Sequence, residues 1–177
     1  LPIPPVDRRL VERAFGIVHH GFAVPVVGLI DLIKPVGYGL LDHKSCASFD
    51  NVLEAEQLLE EPQAIIYGLR FGAEPIGQTY TDGKGNEYPL YWPMIPNIDI
   101  TFEHIYYRTR GIAAARRTVC VLTPQHLRSG LDWLRGVVSD MRRDSTRAEC
   151  EVAANANACS DYGGCSFLPR CSFNGVS

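Results

Sequence analysis

Apolar residues in the first quarter of the chain gather in short blocks broken by polar and turn-forming residues, the pattern of strands. Glu12 to His19 reads as a short strand, ended by His20-Gly21, and Val24 to Ile33 is dense in Val, Ile and Leu and reads as a buried one. Lys34-Pro35-Val36-Gly37 is a turn signal, and Tyr38 to Cys46 reads as a third strand. Three strands joined by tight turns predict an antiparallel meander. The period then lengthens. Val52, Ala55, Leu58 and Leu59 share one helical face, and Pro62 suits the first turn of a second helix that runs to Phe71 and stops at Gly72. Gly72 to Asn97 is rich in Gly, Pro and aromatic residues, with Asp82-Gly83-Lys84-Gly85-Asn86 as a hairpin tip. Ile98, Ile100 and Phe102 alternate with Asp99, Thr101 and Glu103, so Ile98 to Arg108 reads as a half-exposed strand, and Arg116 to Leu122 as another. Thr123 as N-cap and Pro124 at the first helical position open a helix to about Arg143, with Leu127, Leu131, Leu134, Val138 and Met141 on its apolar face. This order predicts a mixed α/β (α+β) domain over residues 1–145, followed by a polar, small-residue, cysteine-bearing tail over 146–177.

Composition narrows the picture. A chain of 177 residues with 46% hydrophobic and 21% charged residues suits one domain with an ordinary core. The formal net charge of −3 excludes a global basic field for nucleic acid. Any contact with DNA must use a local patch, and Arg108, Arg110, Arg116, Arg117, Arg142, Arg143 and Arg147 are the residues for it, if they are not simply solvated surface. No apolar run approaches the ~20 residues of a membrane span, and Leu1-Pro2-Ile3-Pro4-Pro5 runs into charge where a secretory signal would be apolar. The expectation is a cytoplasmic protein with no membrane partner. Six cysteines in a reducing compartment argue against a disulfide framework. Cys46 and Cys120 lie in apolar stretches and read as core residues.

Two of the predicted strands carry charge where charge is costly. Gly28-Leu29-Ile30-Asp31 sets an acid in a strongly apolar strand, and Leu40-Leu41-Asp42-His43-Lys44 sets an acid and a lysine two residues apart. Residues two apart on a strand share a face, so Asp42 and Lys44 are neighbours, and Asp31 can face them from the preceding strand. Buried acids need partners. One solution is a structural ion pair, Asp42 or Asp31 with Lys44. The other is a divalent cation between the two carboxylates, Mg²⁺ or Mn²⁺, with Lys44 beside it. Gln63 and Tyr67 stand one turn apart on a single helical face.

Gly28 to Asp31, Asp42 to Lys44 and Gln63 to Tyr67 occur in the order Gly-x-x-Asp, Asp/Glu-x-Lys, Gln-x-x-x-Tyr. In this the chain resembles the RecB-like branch of the PD-(D/E)XK nucleases. The resemblance implies a mixed central sheet flanked by helices and a metal-dependent DNA exonuclease of replication, recombination or phage DNA processing. It implies that Asp31, Asp42 and the backbone carbonyl of His43 hold Mg²⁺ or Mn²⁺. Lys44 would be catalytic, and Gln63 and Tyr67 would position DNA or the lysine, while the His43 side chain points away from Asp42 and Lys44. The implied partners are single-stranded DNA or duplex ends, with a helicase or recombination protein alongside. Two other readings stay open: a DNA-binding module that cleaves weakly or not at all, and a zinc-stabilised structural protein.

The tail has its own chemistry. Cys159, Cys165 and Cys171 are separated by two equal gaps of five residues, with Gly163, Gly164 and Pro169 permitting a tight wrap. Soft thiolates at such spacing suit zinc or an iron–sulfur cluster, and spacing does not separate them. AddB-type and CRISPR adaptation nucleases, and phage-encoded members above all, are what this tail resembles, and that resemblance implies a [4Fe–4S] cluster. A fourth thiolate is then required. The family draws it from before the first strand, but no cysteine precedes Cys46, which leaves Cys150 as the local choice. The family's upstream helix, with the His or Glu that completes the metal site, is missing as well, because Leu1 to Val11 begins with three prolines in five residues. Together these absences lead to the expectation that the chain is the C-terminal portion of a longer nuclease.

Overall fold

A computed structural model of the chain describes residues 10–20, 22, 24–34 and 38–147. Cys150, Cys159, Cys165 and Cys171 lie outside the described residues, and with them every expectation about the tail. The chain divides into two units, Leu1–Val138 and Ser139–Ser177, and the fold below is that of the first.

Among the described residues, seven strands and three helices follow in the order β1 (Val11–Ile17), β2 (Val26–Lys34), β3 (Gly39–Cys46), α1 (Ala55–Glu60), α2 (Pro62–Phe71), β4 (Glu74–Thr81), β5 (Glu87–Trp92), β6 (Ile100–Arg108), β7 (Ala115–Leu122) and α3 (Pro124–Asp144), the last turns of α3 belonging to the second unit. The fold is mixed α/β, with one seven-stranded mixed sheet in the order β4-β5-β1-β2-β3-β6-β7. The predicted meander is present, since β1–β2 and β2–β3 are both antiparallel. β6 then lies parallel to β3 and antiparallel to β7. A parallel neighbour requires a crossover, and α1, α2 and the β4–β5 hairpin make up the connection.

The stretch from Gly72 to Asn97 contains more order than its composition suggests. Besides the hairpin tip it forms two full strands, and β5 pairs in parallel with β1. The physical reason is exposure. Nearly every residue of β4 faces solvent, so its sequence carries no apolar alternation, and its order comes from pairing with β5. At the tip, the Asp82 carboxylate accepts hydrogen bonds from the backbone N–H groups of Lys84 (2.8 Å) and Asn86 (2.9 Å).

The core is built from the inward faces of the central strands and of the helices. Phe15, Ile17, Ile30, Leu40, Leu58, Leu69, Ile100, Phe102, Leu122 and Leu127 are fully buried, each contributing on the order of 1.5–3 kcal/mol. The approach of α2 to α3 is set by glycines: a Cβ on Gly68 would meet Leu127 Cδ2 at 2.6 Å, and one on Gly130 would meet Ile65 Cγ2 at 2.4 Å. Three expectations are corrected. Cys46 is only half-buried, at a strand end, with its Sγ 3.7 Å from the Tyr107 carbonyl; Cys120 is the core thiol. Met141 is exposed and does not share the buried face of Leu127 and Leu134. The first helix starts at Ala55, because the Glu54 N–H is already capped by Gln57 Oε1 at 2.9 Å; Val52 is buried from the preceding loop.

Candidate active site

The β2–β3 ladder runs from Lys34 opposite Gly39 to Leu32 opposite Leu41 and ends there. The next pair in that register is Asp31 with Asp42. In place of a ladder bond, the backbone N–H of His43 donates to Asp31 Oδ2 at 2.7 Å, so the carboxylate is wedged where the two strands part. On the other side of β3, the parallel register with β6 sets Asp42 beside His104 and Lys44 beside Tyr106.

Helix α2 brings Gln63 over these residues. Its amide ties three groups together: Nε2 donates to Asp42 Oδ1 and to Tyr67 Oη, both at 2.8 Å, and Oε1 accepts from Lys44 Nζ at 2.6 Å. The partners fix the amide's orientation, since an ammonium can only donate and a carboxylate only accept. Lys44 Nζ also stands 2.7 Å from Asp42 Oδ2. The Tyr67 hydroxyl donates to the carbonyl of Leu29, two residues before Asp31. Its ring lies edge-on to Phe15 and Phe102 at 5.9 and 6.0 Å, which locks the hydroxyl in place. Burial raises the Tyr67 pKa; the Gln63 hydrogen bond opposes this, and the charges of Asp42 and Asp31 add to it. Tyr67 is therefore a neutral donor.

The five residues read from the sequence, Asp31, Asp42, Lys44, Gln63 and Tyr67, thus come together where β2 and β3 part. The His43 side chain points elsewhere, as expected, with Nδ1 3.0 Å from the Tyr107 hydroxyl and the two rings stacked at 5.5 Å. One member of the group was missed. His104 is buried, only 1% exposed, with Nδ1 2.9 Å from the Tyr106 hydroxyl and Nε2 3.8 Å from Asp42 Oδ2. Burial lowers its pKa to about 4, against the pull of Asp42, so the imidazole is neutral at pH 7. A lone histidine alternating with Phe102 and Tyr106 carries no spacing signal. Only its place beside Asp42, across a parallel pair from a distant part of the chain, reveals it.

Two buried atoms of this group lack hydrogen-bond partners, Asp42 Oδ2 and His104 Nε2. The Lys44 ammonium is close to the former but not aligned for a hydrogen bond, so it balances charge without satisfying direction. An orphaned carboxylate oxygen of this kind fits a cation ligand. Among the described residues, however, no three His, Cys, Asp or Glu side chains converge on one point, so an ion here would also draw on backbone oxygens and water. A cavity of about 390 Å³ beside the group is lined by Lys44, Ser48, Asn51, Glu61, His104 and Tyr106.

The arginines proposed for a DNA patch are partly engaged. Arg116 pairs with Glu54, Arg117 Nε donates to the buried Glu103 at 2.8 Å, and Arg108 Nε donates to the Ile112 carbonyl at 2.7 Å. Arg110 is exposed. In the second unit, Arg143 pairs with Asp140 at 2.8 Å. No helix among the described residues is long and apolar enough to cross a membrane. No protein family model, curated protein or solved structure matches the chain.

Proposed function

We propose that this protein is a metal-dependent nuclease that hydrolyses phosphodiester bonds of DNA, acting as an exonuclease of the RecB-like PD-(D/E)XK kind. The observation that carries the reading is the hydrogen-bonded set Asp42–Gln63–Lys44–Tyr67 beside Asp31: three sequence motifs, far apart in the chain, form one polar group. A purely structural ion pair would need only Asp42 and Lys44. It would not need a glutamine to hold one carboxylate oxygen and the ammonium together, nor a tyrosine to hold the glutamine.

Asp42, Asp31 and the His43 carbonyl would hold Mg²⁺ or Mn²⁺. That ion, when bound, supplies charge neutralisation at the scissile phosphate and lowers the pKa of a water. Gln63 pins Asp42 Oδ1, while Oδ2 lies beside Lys44 and His104 without a hydrogen-bond partner. Lys44, steered by Gln63 Oε1, presents an ammonium to the charge that develops on the phosphorus oxygens during attack. Tyr67 keeps Gln63 in register from a site packed between two aromatic rings. The substrate is a DNA end or a single strand, with helicase or recombination partners. The cysteine tail is proposed to hold a [4Fe–4S] cluster through Cys159, Cys165 and Cys171, with Cys150 as the fourth ligand and zinc as the alternative; iron and sulfide content after anaerobic purification decides between them.

A second reading, a DNA-binding module that does not cleave, is favoured by one observation: no third acidic or imidazole side chain joins Asp42 and Asp31 at a single point among the described residues. The deciding experiment is incubation of anaerobically purified protein with end-labelled linear DNA, with and without Mn²⁺. Mononucleotide release that needs the metal and is lost in Asp42→Asn supports the nuclease. Metal-independent binding without release supports the module.

A further inference from the structure

We infer that the cavity beside the catalytic group receives the unpaired base of the nucleotide at a DNA strand end, and that Glu61 and Asn51 select that base, guanine first. The inference rests on the nuclease reading and names the part of the substrate that the site holds.

The cavity has the size and make-up of a small-ligand site. Its volume of about 390 Å³ falls within the roughly 300–1,000 Å³ usual for such pockets. It shares residues and elements with the catalytic group. Lys44 stands in its wall, on the same strand as Asp42, with a side chain 36% exposed. Glu61 enters it from the start of α2, two residues before Gln63. A base held there keeps its own phosphate close to the Lys44 ammonium. Val52 and Tyr106, both 7% exposed, form the apolar part of the wall. The Tyr106 ring is fixed through its hydroxyl, which lies 2.9 Å from His104 Nδ1 and accepts the Leu53 N–H at 3.3 Å. A rigid aromatic and an aliphatic side chain suit the faces of a nucleobase.

The polar part of the wall is selective. Ser48 is turned to Asp50, whose N–H donates back to Ser48 Oγ at 3.1 Å. Glu61 holds the N-cap position of α2 yet makes no side-chain capping hydrogen bond. Burial raises the Tyr106 pKa, the Leu53 N–H opposes this and the Glu61 charge adds to it, which marks the carboxylate as a neighbour of that ring. Asn51 also lines the cavity and is exposed. A carboxylate only accepts, so it favours the base edge with the most donors side by side. Guanine presents N1–H and N2–H together, where adenine, cytosine and thymine each present one donor group on that edge. The Asn51 amide, which can donate, completes the match at guanine O6. Both residues read an edge that base pairing would occupy, so the strand end they accept is unpaired.

The test measures binding and cleavage separately. The full chain, in EDTA, is titrated with dGMP, dAMP, dCMP and dTMP and followed by ligand-observed NMR. Cleavage of single-stranded oligonucleotides that differ only in the terminal base is then measured with Mn²⁺. The expected result is tightest binding of dGMP and the lowest KM for strands ending in guanine. Glu61→Gln should weaken dGMP binding by roughly tenfold or more and remove the preference over dAMP. Asn51→Leu, at an exposed position, should weaken dGMP several-fold, and circular dichroism identifies any variant that fails to fold. If none of the four nucleotides binds, or all bind equally and Glu61→Gln changes nothing, the pocket assignment is overturned; Mn²⁺-dependent cleavage lost in Asp42→Asn would then leave the nuclease reading standing. If the parent protein shows no metal-dependent cleavage, the nuclease reading falls and the strand end with it, however dGMP binds.

Discussion

Asp42 is the residue on which the chemistry turns. It is 3% exposed, with one oxygen held by Gln63 and the other beside Lys44 and His104. Asp42→Asn keeps the shape and the Gln63 contact but removes the charge, and Lys44→Met keeps the aliphatic stem but removes the ammonium. Each is expected to lower metal-dependent DNA cleavage by on the order of 10²–10³-fold with the fold intact, as read by single-turnover assays and circular dichroism. Full activity in folded Asp42→Asn protein would refute the site. Gln63 and Tyr67 act one step away and should separate. Gln63→Ala releases both Lys44 and Asp42, so activity should fall steeply. Tyr67→Phe keeps the ring between Phe15 and Phe102 and loses only the bonds to Gln63 and Leu29, so it should cost about 1 kcal/mol of stability and less activity than Gln63→Ala. The reverse order would show that Tyr67 does more than position its neighbour.

Among the elements, the pairing of β1 with β2 explains why the first motif begins with glycine. Phe15 stands opposite Gly28 in the ladder, and a Cβ on Gly28 would meet the Phe15 ring at 2.7 and 2.9 Å. The ring cannot retreat freely, because it is fully buried and lies edge-on to Tyr67 at 5.9 Å. Gly28→Ala should therefore destabilise by about 1–3 kcal/mol and reduce cleavage through Tyr67 and Gln63. The double variant Gly28→Ala/Phe15→Leu makes space for the methyl group and should recover part of the loss in urea unfolding. No recovery would mean that Gly28 serves something other than room for Phe15. The parting of β2 from β3 beyond Leu32 and Leu41 is the other decisive feature at this level. It lets Asp31 turn its carboxylate to the His43 N–H, where a continued ladder would leave no opening.

For the molecule as a whole, the buried His104 couples folding to pH. Its pKa is lowered from 6.5 to about 4, so the unfolded chain takes up this proton more readily than the folded one. The sign follows from that difference. The stabilisation is fully present above pH 6.5, is lost as pH falls from 6.5 to about 4, and changes no further below. The groups facing the ring are Asp42, Lys44 and Asp31; the carboxylates soften the shift and the lysine deepens it. A full transition amounts to about 3 kcal/mol. Urea unfolding of the parent and of His104→Gln, each at pH 7 and pH 4, isolates this contribution from that of the carboxylates. Equal pH dependence in the two proteins would contradict it.

The chain's own pattern was enough for the meander, the two helices that follow it, the closing strand pair and the long last helix, because each writes a local period that burial enforces. Charge in an apolar strand also drew notice to Asp31, Asp42 and Lys44, a local signal, whereas Gln63 and Tyr67 joined them through the resemblance to the ordered motif set. The β4 strand left no such trace, being exposed and ordered by its neighbour. Nor did His104: nothing near it in sequence distinguishes it from any other strand residue. Its significance lies in the parallel register with β3, which sets it beside Asp42 across 61 intervening residues, 43 to 103. Long-range strand pairing is settled by how the sheet closes over its core, and that is a property of the packed molecule that no stretch of sequence near His104 encodes.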